Sequence, residues 1–537
     1  MLSTHFPTEF EPRKNQLSAI NQIEEGWRKH KIIICNAPTG IGKSFLSKTI
    51  ANASDQCNHK FKALVNSYDA YKMDKDGYVY ADEIAAAPSH GCYALTITKS
   101  LQDQYNTLFS DCSVLKGKSN YQCKVATEFS VEDAPCTYTS GMKQDCWSQD
   151  YCTYYKDRNA ALTSQFASLN YRMYMSLPDY LKKRQYLICD EASELEGELV
   201  GNSTLTITKK TLQYVGIPTI LPPEDQYKTH IWLNSILDNL SDKERLLKKK
   251  LSNKMTKNMQ TFLNKLTATR NLKTRIENIK SKWKKCEYIV MRDDESITMT
   301  PLRVYPLANE IFKHGEKILL MSATIIDHEN FAKTLGIDEY TYIELDSPFD
   351  PKRAPIKIAP GISINYKNMD KVLPYIAEKV DNICREHKKF KGIIHTHTNK
   401  INNFLEEYFH KDPRFLFKTD SVSNEDIIKE HFSSKSPTIL VSPSLTHGID
   451  LKGKYCMFQI ILKAPFAPLG DRRVRKLFEE NKDWYQAQML STLIQACGRG
   501  IRGETDACIT YILDGGIAKS VIQNRTKIPK YFIDRFI

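Results

Sequence analysis

The chain lacks the features of a membrane or secreted protein. No apolar run approaches the roughly 18 residues of a membrane-spanning helix. Its first residues show no basic stretch followed by an apolar one. Fourteen cysteines are present, but without a secretion signal they do not indicate a disulfide framework. We expect a soluble cytoplasmic protein, in a bacterium or, if the chain is viral, in its host.

The sequence also lacks a C-x-x-C pair, which disfavours a zinc ribbon or knuckle. With 537 residues the chain is long enough for about three or four domains. Residues 243–285 hold 15 basic and two acidic residues, which account for the whole net charge of +13. This segment has helical periodicity and includes the run Lys248, Lys249 and Lys250. It predicts either a polyanion-binding surface or a solvated helical face.

Residues 37–44 (APTGIGKS) have the pattern of a phosphate-binding loop, with an apolar strand before them and a helical pattern after them. The glycines allow backbone N–H groups to turn toward a polyphosphate, and the helix N-terminus adds partial positive charge. The lysine can reach the β- and γ-phosphates, and the serine hydroxyl can bind Mg²⁺. The predicted nucleotide-binding residues are Thr39, Gly40, Gly42, Lys43 and Ser44.

Two further places complete a predicted nucleotide site. Arg13 and Gln16 could read the adenine edge, because a Gln amide both donates and accepts hydrogen bonds; the alternative is ordinary surface polarity. Residues 186–189 predict a buried strand that ends at Asp190 and Glu191. Asp190 can hold Mg²⁺, and Glu191 can orient or deprotonate the attacking water.

Five cysteines lie within 41 residues: Cys112, Cys123, Cys136, Cys146 and Cys152. From Cys123 onward, twelve, nine and five residues separate them. This spacing leaves an iron–sulfur cluster, zinc and plain thiols equally open. Tyr154, Tyr155 and Arg158 follow closely. Aromatic and basic residues together favour a surface on which nucleic-acid bases stack. The alternative is that they form the packing of a small subdomain held together by a metal.

A second α/β pattern begins at about residue 347, with strands predicted at 392–395, 438–441, 457–462 and 508–513. It contains no second phosphate-binding loop. Residues 495–502 (QACGRGIR) include Gln495, Arg499 and Arg502. Arginines three residues apart share one face of a helix, and there they can act as arginine fingers or as a salt-bridged surface.

In their order along the chain, these segments resemble the motifs of superfamily 2 helicases of the XPD/DinG type. Residues 37–44 resemble motif I, 96–104 motif Ia, 190–193 the DEAH box, and 322–324 motif III. Residues 395–398 stand at motif IV, 448–450 at motif V, and 495–502 at motif VI. The sequences around Cys123 and Cys152 are similar to the first and last cysteine contexts of that family's iron–sulfur domain. The resemblance covers nearly the whole chain.

The resemblance implies an α/β fold of two RecA-like P-loop motor domains, with a cysteine-rich iron–sulfur insert and a helical arch-like insert in the first. It places the first motor at 1–110, 166–200 and 291–346, the iron–sulfur insert at 111–165, the arch at 201–290 and the second motor at 347–537. Two positions depart from the family pattern: Ser193 replaces the histidine of DEAH, and His447 stands where an acid is usual.

The resemblance also implies the cofactors and the residues that carry them. ATP and Mg²⁺ would meet Lys43, Asp190 and Glu191, with Gln495, Arg499 and Arg502 as further catalytic residues and Asp450 in the nucleotide site. A [4Fe–4S] cluster would be held by Cys123, Cys136, Cys146 and Cys152. The expected DNA contacts are Thr98, Lys99, Tyr154, Tyr155, Arg158, Lys248, Lys249 and Lys250.

The resulting prediction is an ATP-dependent 5′→3′ DNA helicase that acts as a monomer on single-stranded or forked DNA, in repair, recombination or replication. One alternative is a nucleic-acid-stimulated ATPase that translocates or remodels, on RNA as well as DNA, without separating strands. Another is a structural iron–sulfur or zinc protein with an inactive motor. The intact Lys43, Asp190, Glu191 and Arg499 argue against the last.

Overall fold

The computed structural model contains two parallel β-sheets and a smaller antiparallel one. It describes residues 1–66, 89–134, 136, 152–253, 259–359, 363–365, 367–419, 422–443, 451, 453–501 and 505–537. In chain order the strands are β1 (Ile32–Asn36), β2 (Cys92–Thr96), β3 (Ser113–Leu115), β4 (Phe166–Asn170), β5 (Arg184–Asp190), β6 (Leu205–Thr208), β7 (Tyr288–Arg292), β8 (Ser296–Pro301), β9 (Gly315–Ser322), β10 (Thr341–Glu344), β11 (Ile356–Ile358), β12 (Gly392–His395), β13 (Phe415–Phe417), β14 (Ile439–Ser442), β15 (Phe458–Ile461) and β16 (Ile509–Ile512).

The helices surround these sheets. In the first half they are α1 (Lys14–Lys29), α2 (Lys43–Asn52), α3 (His59–Asn66), α4 (Lys99–Leu108), α5 (Thr153–Thr163), α6 (Tyr171–Ser176), α7 (Leu195–Ser203), α8 (Lys209–Val215), α9 (Gln226–Asn253), α10 (Met259–Trp283), α11 (Tyr305–Phe312) and α12 (His328–Leu335). In the second half they are α13 (Met369–Glu386), α14 (Asn399–Phe409), α15 (Asn424–Ser433), α16 (Arg472–Glu480), α17 (Lys482–Cys497), α18 (Gly515–Gln523) and α19 (Lys530–Ile533).

The first sheet has the strand order β10-β1-β9-β5-β2-β4-β3, and every pairing in it is parallel. Its central strands are continuous apolar runs, because helices cover both faces of a parallel sheet. Residues 318–321 of β9, for example, are fully buried. The carboxyl ends of β1, β5 and β9 meet at one edge, where open α/β sheets bind ligands.

The second sheet has the order β11-β16-β15-β12-β14-β13 and is also parallel throughout. Helix α13 shows how the sequence builds its cover. Val372, Ile376 and Val380 recur at helical spacing, and all three lie in the buried core of this domain. The chain passes from the first parallel sheet to the second between Glu344 and Ile356. The two parallel sheets, each with its own helices, confirm the predicted α/β fold of two RecA-like domains.

The predicted helical insert is a hairpin. Helices α9 and α10 pack against each other, and β6, β7 and β8 form a three-stranded antiparallel sheet beside them. The hairpin is helical because apolar residues such as Leu233, Leu240 and Leu266 recur on its buried side. None of the helices in the described part of the chain is long and apolar enough to cross a membrane.

Candidate functional site

The phosphate-binding loop connects β1 to α2, and α2 begins at Lys43. Gly40 and Gly42 have φ angles of +81° and +89°, which favour glycine. Space requires glycine as well. A Cβ at Gly40 would lie 2.0 Å from the ring of Phe349, and one at Gly42 would lie 2.3 Å from Nε2 of Gln16. The loop is therefore confined by Gln16 of the first domain and by Phe349, which packs against the core of the second.

Lys43 contacts both acids at the end of β5. Its ammonium group forms an ion pair with Glu191 and lies 3.4 Å from Oδ1 of Asp190. Burial lowers the pKa of Lys43, but the two carboxylates outweigh burial and raise it overall. Burial, with the charge of Glu191, raises the pKa of Asp190. Glu191 has a φ of +52°, a left-handed conformation that is costly for a non-glycine residue and is typical of functional sites.

Two buried tyrosines donate hydrogen bonds to Asp190. The Tyr105 hydroxyl of α4 donates to Oδ2 of Asp190 at 3.3 Å and lies 3.0 Å from the hydroxyl of Ser47 in α2. The Tyr171 hydroxyl donates to the backbone carbonyl of Asp190 at 2.9 Å. Burial, reinforced by Asp190, raises the pKa of Tyr105 well above its usual value, so this phenol stays protonated as a donor. Neither tyrosine is among the site residues predicted from the sequence.

A chain of hydroxyl groups leads from Glu191 to the second domain. Ser322 donates to Oε2 of Glu191 at 3.2 Å and lies 2.9 Å from the hydroxyl of Ser193. Thr324 donates to Ser193 at 3.0 Å and accepts from Nε2 of Gln495 at 3.3 Å. The same amide nitrogen of Gln495 donates to Glu194 at 2.8 Å. The predicted DEAH box and motifs III and VI are thus joined by hydrogen bonds in the described residues.

Arg13 and Gln16 lie against the phosphate-binding loop. Arg13 donates to the carbonyl of Gly40 at 3.2 Å, and Gln16 donates to the carbonyl of Ile41 at 3.0 Å. The side-chain oxygen of Gln16 accepts from the backbone of Arg13. Thr39 and Ser44 are half-buried in this loop and in the first turn of α2. The contacts connect Arg13 and Gln16 to the loop backbone, so their predicted adenine contact remains a prediction.

Arg499 follows α17 and is 8% exposed. His395, at the end of β12, is buried, and burial lowers its pKa, with the charges of His397 and Arg499 adding to that effect. Arg499 therefore lies close to the carboxyl end of β12. The predicted residues Arg502 and Asp450 lie outside the described residues, as does His447.

The described part of the cysteine region can be compared with the predicted iron–sulfur cluster. Cys123 accepts a hydrogen bond from the backbone of Ala126 at 3.3 Å. Burial raises the pKa of the Cys152 thiol, and the Cys123 thiol adds to that rise. Across the described residues, Cys136 included, no three His, Cys, Asp or Glu side chains gather as metal ligands. Cys146 lies outside them. The described thiols alone do not fit a four-thiolate cluster.

The stacking-surface interpretation of Tyr154, Tyr155 and Arg158 is wrong in this structure. These side chains of α5 are 4%, 5% and 4% exposed and pack inside the domain. Arg158 lies 4.8 Å from the ring centroid of Tyr155, and Lys118 lies 5.4 Å from that of Tyr154. The aromatic and basic residues therefore follow the alternative interpretation, internal packing of the subdomain.

The other predicted DNA contacts lie on the surface. Thr98 caps α4 by accepting from the backbone of Leu101, and Lys99 beside it is exposed. In the hairpin, Lys248 and Lys249 are exposed. Lys248 lies 2.8 Å from Glu244. The side chain of Lys250 lies outside the described residues.

Comparison with known proteins identifies the second domain. Residues 366–532 match the family model described as "Helicase C-terminal domain". A solved structure named XPD_Helicase has a TM-score of 0.62 and 16% identity, with 95% of this chain and 98% of that chain covered. S. tokodaii Xpd4 gives 0.55 and 12%, covering 95% and 97%. No curated protein matches the sequence.

Residues 366–532 therefore match a helicase C-terminal domain, and the chain as a whole has the fold of the XPD structures. The XPD likeness spans both parallel sheets, since it covers nearly all of this chain and of the solved structures.

Sequence reasoning missed Tyr105, which contacts Asp190, and Glu194 and Glu196, which contact α17. For the two glutamates, the one sequence signal lies on their partner helix. Trp484, Gln488 and Gln495 are spaced by four and seven residues on α17, which places them on one helical face. That spacing predicts a shared partner surface but cannot name the partner.

Proposed function

We propose that the protein is an ATP- and Mg²⁺-dependent DNA helicase that moves 5′→3′ along single-stranded DNA and unwinds duplexes. The observation that carries the proposal is the hydrogen-bonded connection from Glu191 through Ser322, Ser193 and Thr324 to Gln495. It links the side chain proposed to activate water to the second motor domain. Such a link is what converts hydrolysis into domain movement.

The residues at the phosphate-binding loop fit ATP and Mg²⁺. The two glycines with positive φ leave the loop backbone able to wrap phosphates, and α2 presents its N-terminus there. Lys43 would contact the phosphates, and Ser44 with Asp190 would hold Mg²⁺. The ion supplies charge neutralisation on the phosphate oxygens when bound. Glu191 would orient and deprotonate the water, and Arg499 would stabilise the charge that develops on the γ-phosphate.

Tyr105 supports the role of Asp190 as the Mg²⁺ ligand. A carboxylate that binds a metal is usually oriented by a hydrogen-bond donor outside the metal's own ligands. Tyr105 is 1% exposed and reaches Oδ2, while the backbone of Glu191 donates to Oδ1 at 3.0 Å. The carboxylate is therefore held in one orientation before nucleotide arrives.

The proposed DNA path rests on the exposed end of α4 and on the hairpin. Thr98 and Lys99 lie where β2 ends, on the sheet edge that also carries the phosphate-binding loop. The hairpin presents basic side chains, including Lys248 and Lys249, to solvent. The DNA preference and the 5′→3′ direction come from the resemblance to XPD/DinG-type helicases. The setting proposed from the same resemblance is cytoplasmic DNA repair, recombination or replication by a monomer.

The [4Fe–4S] cluster remains a prediction from the resemblance, with Cys123, Cys136, Cys146 and Cys152 as its ligands. Protein purified without oxygen should contain about four iron and four acid-labile sulfide per chain and absorb near ~400 nm. Cys123→Ser should lose iron and sulfide and abolish unwinding while it spares much of the basal ATP hydrolysis. A colourless wild-type protein that contains zinc would exclude the cluster.

The deciding experiment is strand displacement on DNA and RNA duplexes that carry a 5′ or a 3′ single-stranded tail, run with Lys43→Ala in parallel. We expect ATP-dependent unwinding of 5′-tailed DNA and none with Lys43→Ala. Unwinding from 3′ tails would overturn the direction, and preference for RNA would overturn the substrate. ATP hydrolysis stimulated by DNA without any strand separation would favour a translocating or remodelling ATPase.

A further inference from the structure

Glu196 lies in the first turn of α7, five residues beyond Glu191, and three donors of the second domain contact it. A guanidinium nitrogen of Arg473 donates to Oε1 at 2.5 Å. The indole N–H of Trp484 donates to Oε2 at 2.8 Å, and the amide of Gln488 donates to the same oxygen at 3.2 Å. One carboxylate of the first motor thus receives three hydrogen bonds from α16 and α17 of the second.

This contact is buried. Glu196, Arg473 and Trp484 are 8%, 9% and 7% exposed. A buried ion pair is weak evidence for stability, because desolvation offsets much of its attraction. Its directed hydrogen bonds instead define one relative placement of the two partners. Arg473 is itself fixed, since its Nε donates to the carbonyls of Pro301 and Leu302 at 3.0 and 3.1 Å.

Helix α17 continues from this contact to the nucleotide cleft. Trp484 and Gln488 contact Glu196, and seven residues later Gln495 contacts Glu194 and Thr324. The helix therefore meets the first domain at two points along one face. Two contacts on a rigid helix fix both its position along its axis and its rotation about that axis. Arg499 follows directly at its carboxyl end.

We propose that Glu196 is a positioning residue for ATP hydrolysis: by binding Arg473, Trp484 and Gln488 it holds α17 so that Gln495 and Arg499 face the cleft. The inference rests on the proposed hydrolytic function of that cleft. Glu196 does not touch the nucleotide-binding loop. It acts through α17, so its loss alters the geometry in which the two domains meet during hydrolysis.

This role predicts a particular kinetic signature. The proposed ATP-binding residues, Lys43 and Ser44, belong to the first domain and are untouched when Glu196 changes. The step that needs Arg499 from the second domain is hydrolysis itself. Loss of Glu196 should therefore lower kcat for DNA-stimulated hydrolysis and leave KM for ATP nearly unchanged.

The experiment compares Glu196→Ala, Glu196→Gln and the control Glu198→Gln in the full chain. The amide in Glu196→Gln still accepts from Trp484 and Gln488 but offers no charge to Arg473. Glu198 lies on the same helix, and its carboxylate pairs with Arg172 of the same domain at 3.2 Å. The control thus removes one charge from α7 without removing a bond between the two domains.

Trp484 supplies a second readout that does not depend on hydrolysis. The chain has five tryptophans, so the emission of Trp484 is obtained by subtracting the spectrum of Trp484→Phe. In Glu196→Ala the indole loses its acceptor and gains water, and its emission should shift to longer wavelength. Glu198→Gln should leave it in place.

We expect Glu196→Ala to lower kcat at least about tenfold, with Glu196→Gln between it and wild type and KM within about threefold throughout. Wild-type kcat in Glu196→Ala, or equal losses in Glu196→Ala and Glu198→Gln, would overturn the inference. So would an unshifted Trp484 emission. If wild type hydrolyses no ATP, the proposed function fails, whereas the emission still decides whether Glu196 holds α17.

Discussion

The hydroxyl groups of Ser193 and Ser322 lie 2.9 Å apart, although Ser193 occupies the position at which the DEAH box carries histidine. Ser322 also donates to Glu191, and Ser193 accepts from Thr324. A serine hydroxyl both donates and accepts, so it can take a middle place in such a chain. The departure from the family pattern therefore keeps a polar connection between the acid pair and motif III.

Ser193→Ala should weaken the coupling of hydrolysis to movement. It removes two hydrogen bonds, the one to Ser322 and the one from Thr324, and since each contributes about 0.5–1.5 kcal/mol, the two together correspond to roughly fivefold or more in rate. We expect unwinding per ATP hydrolysed to fall by that factor, measured by running strand displacement and phosphate release together. Ser281→Ala, which removes a hydroxyl bonded to Asn278 in the hairpin, is the control. An unchanged ratio in Ser193→Ala would contradict this role.

Tyr105→Phe should alter the Mg²⁺ dependence of hydrolysis. The phenyl ring fills the same volume, but Oδ2 of Asp190 loses its 3.3 Å donor. We expect the Mg²⁺ concentration for half-maximal hydrolysis to rise roughly twofold to tenfold, as the loss of one hydrogen bond implies. Titration of Mg²⁺ at fixed ATP measures the shift. Tyr171→Phe loses hydrogen bonds to the backbone carbonyl of Asp190 and to Cys189 but none to the Asp190 carboxylate, so it should not change the Mg²⁺ dependence.

Glu244→Gln should remove a pH dependence from the stability of the hairpin. Glu244 of α9 is partly buried and binds Lys248, Arg270 and Lys273 at 2.8, 2.9 and 3.2 Å. Burial raises its pKa, but the three hydrogen bonds outweigh burial and lower the pKa to about 2. The unfolded chain, with a Glu pKa of about 4.3, binds more protons between these values. The stabilisation is therefore complete above about pH 4.5 and is lost as pH falls toward 2.

The measurement is thermal unfolding of wild type and Glu244→Gln between pH 7 and pH 3. We expect the variant to be less stable at pH 7 and the difference to shrink as the pH falls. Glu277→Gln, which changes an exposed acid of the partner helix α10, is the control. A difference that does not change with pH would show that Glu244 is not charged against its three partners.

Much of the fold could be predicted from local patterns. The apolar run at 392–395 coincides with β12, and the run at 438–441 differs from β14 by one residue at each end. Strand β4 was missed because Phe-Ala-Ser-Leu-Asn mixes polar and apolar residues and becomes a strand by pairing with β2 and β3. Such pairing is long-range and leaves no period in the local sequence.

The residues of the candidate site also differ in whether a local sequence pattern predicts them. The phosphate-binding loop and the acid pair have local signatures, and the structure brings Lys43 against both acids. Glu196 has no local signature, since Arg473 is 277 residues away in the sequence. For Tyr154 and Tyr155 a local pattern is present, but it predicts an exposed stacking surface and the two side chains are buried. Aromatic residues beside cations are typical of a stacking surface and of a packed core alike, and only burial distinguishes the two.

The basic hairpin allows a last test, which separates a binding surface from a merely solvated one. Each Lys that neutralises a phosphate of single-stranded nucleic acid contributes about 0.7 to the slope of log affinity against log salt, through counterion release. If Lys248 and Lys249 both contact DNA, Lys248→Gln combined with Lys249→Gln should lower the magnitude of that slope by about 1.4. Fluorescence anisotropy of a labelled single strand over a salt series gives the slope. Lys388 and Lys389 are likewise adjacent and exposed but belong to the second domain. Lys388→Gln combined with Lys389→Gln changes the net charge by the same amount. If both double variants lower the slope equally, the effect comes from overall charge and not from the hairpin.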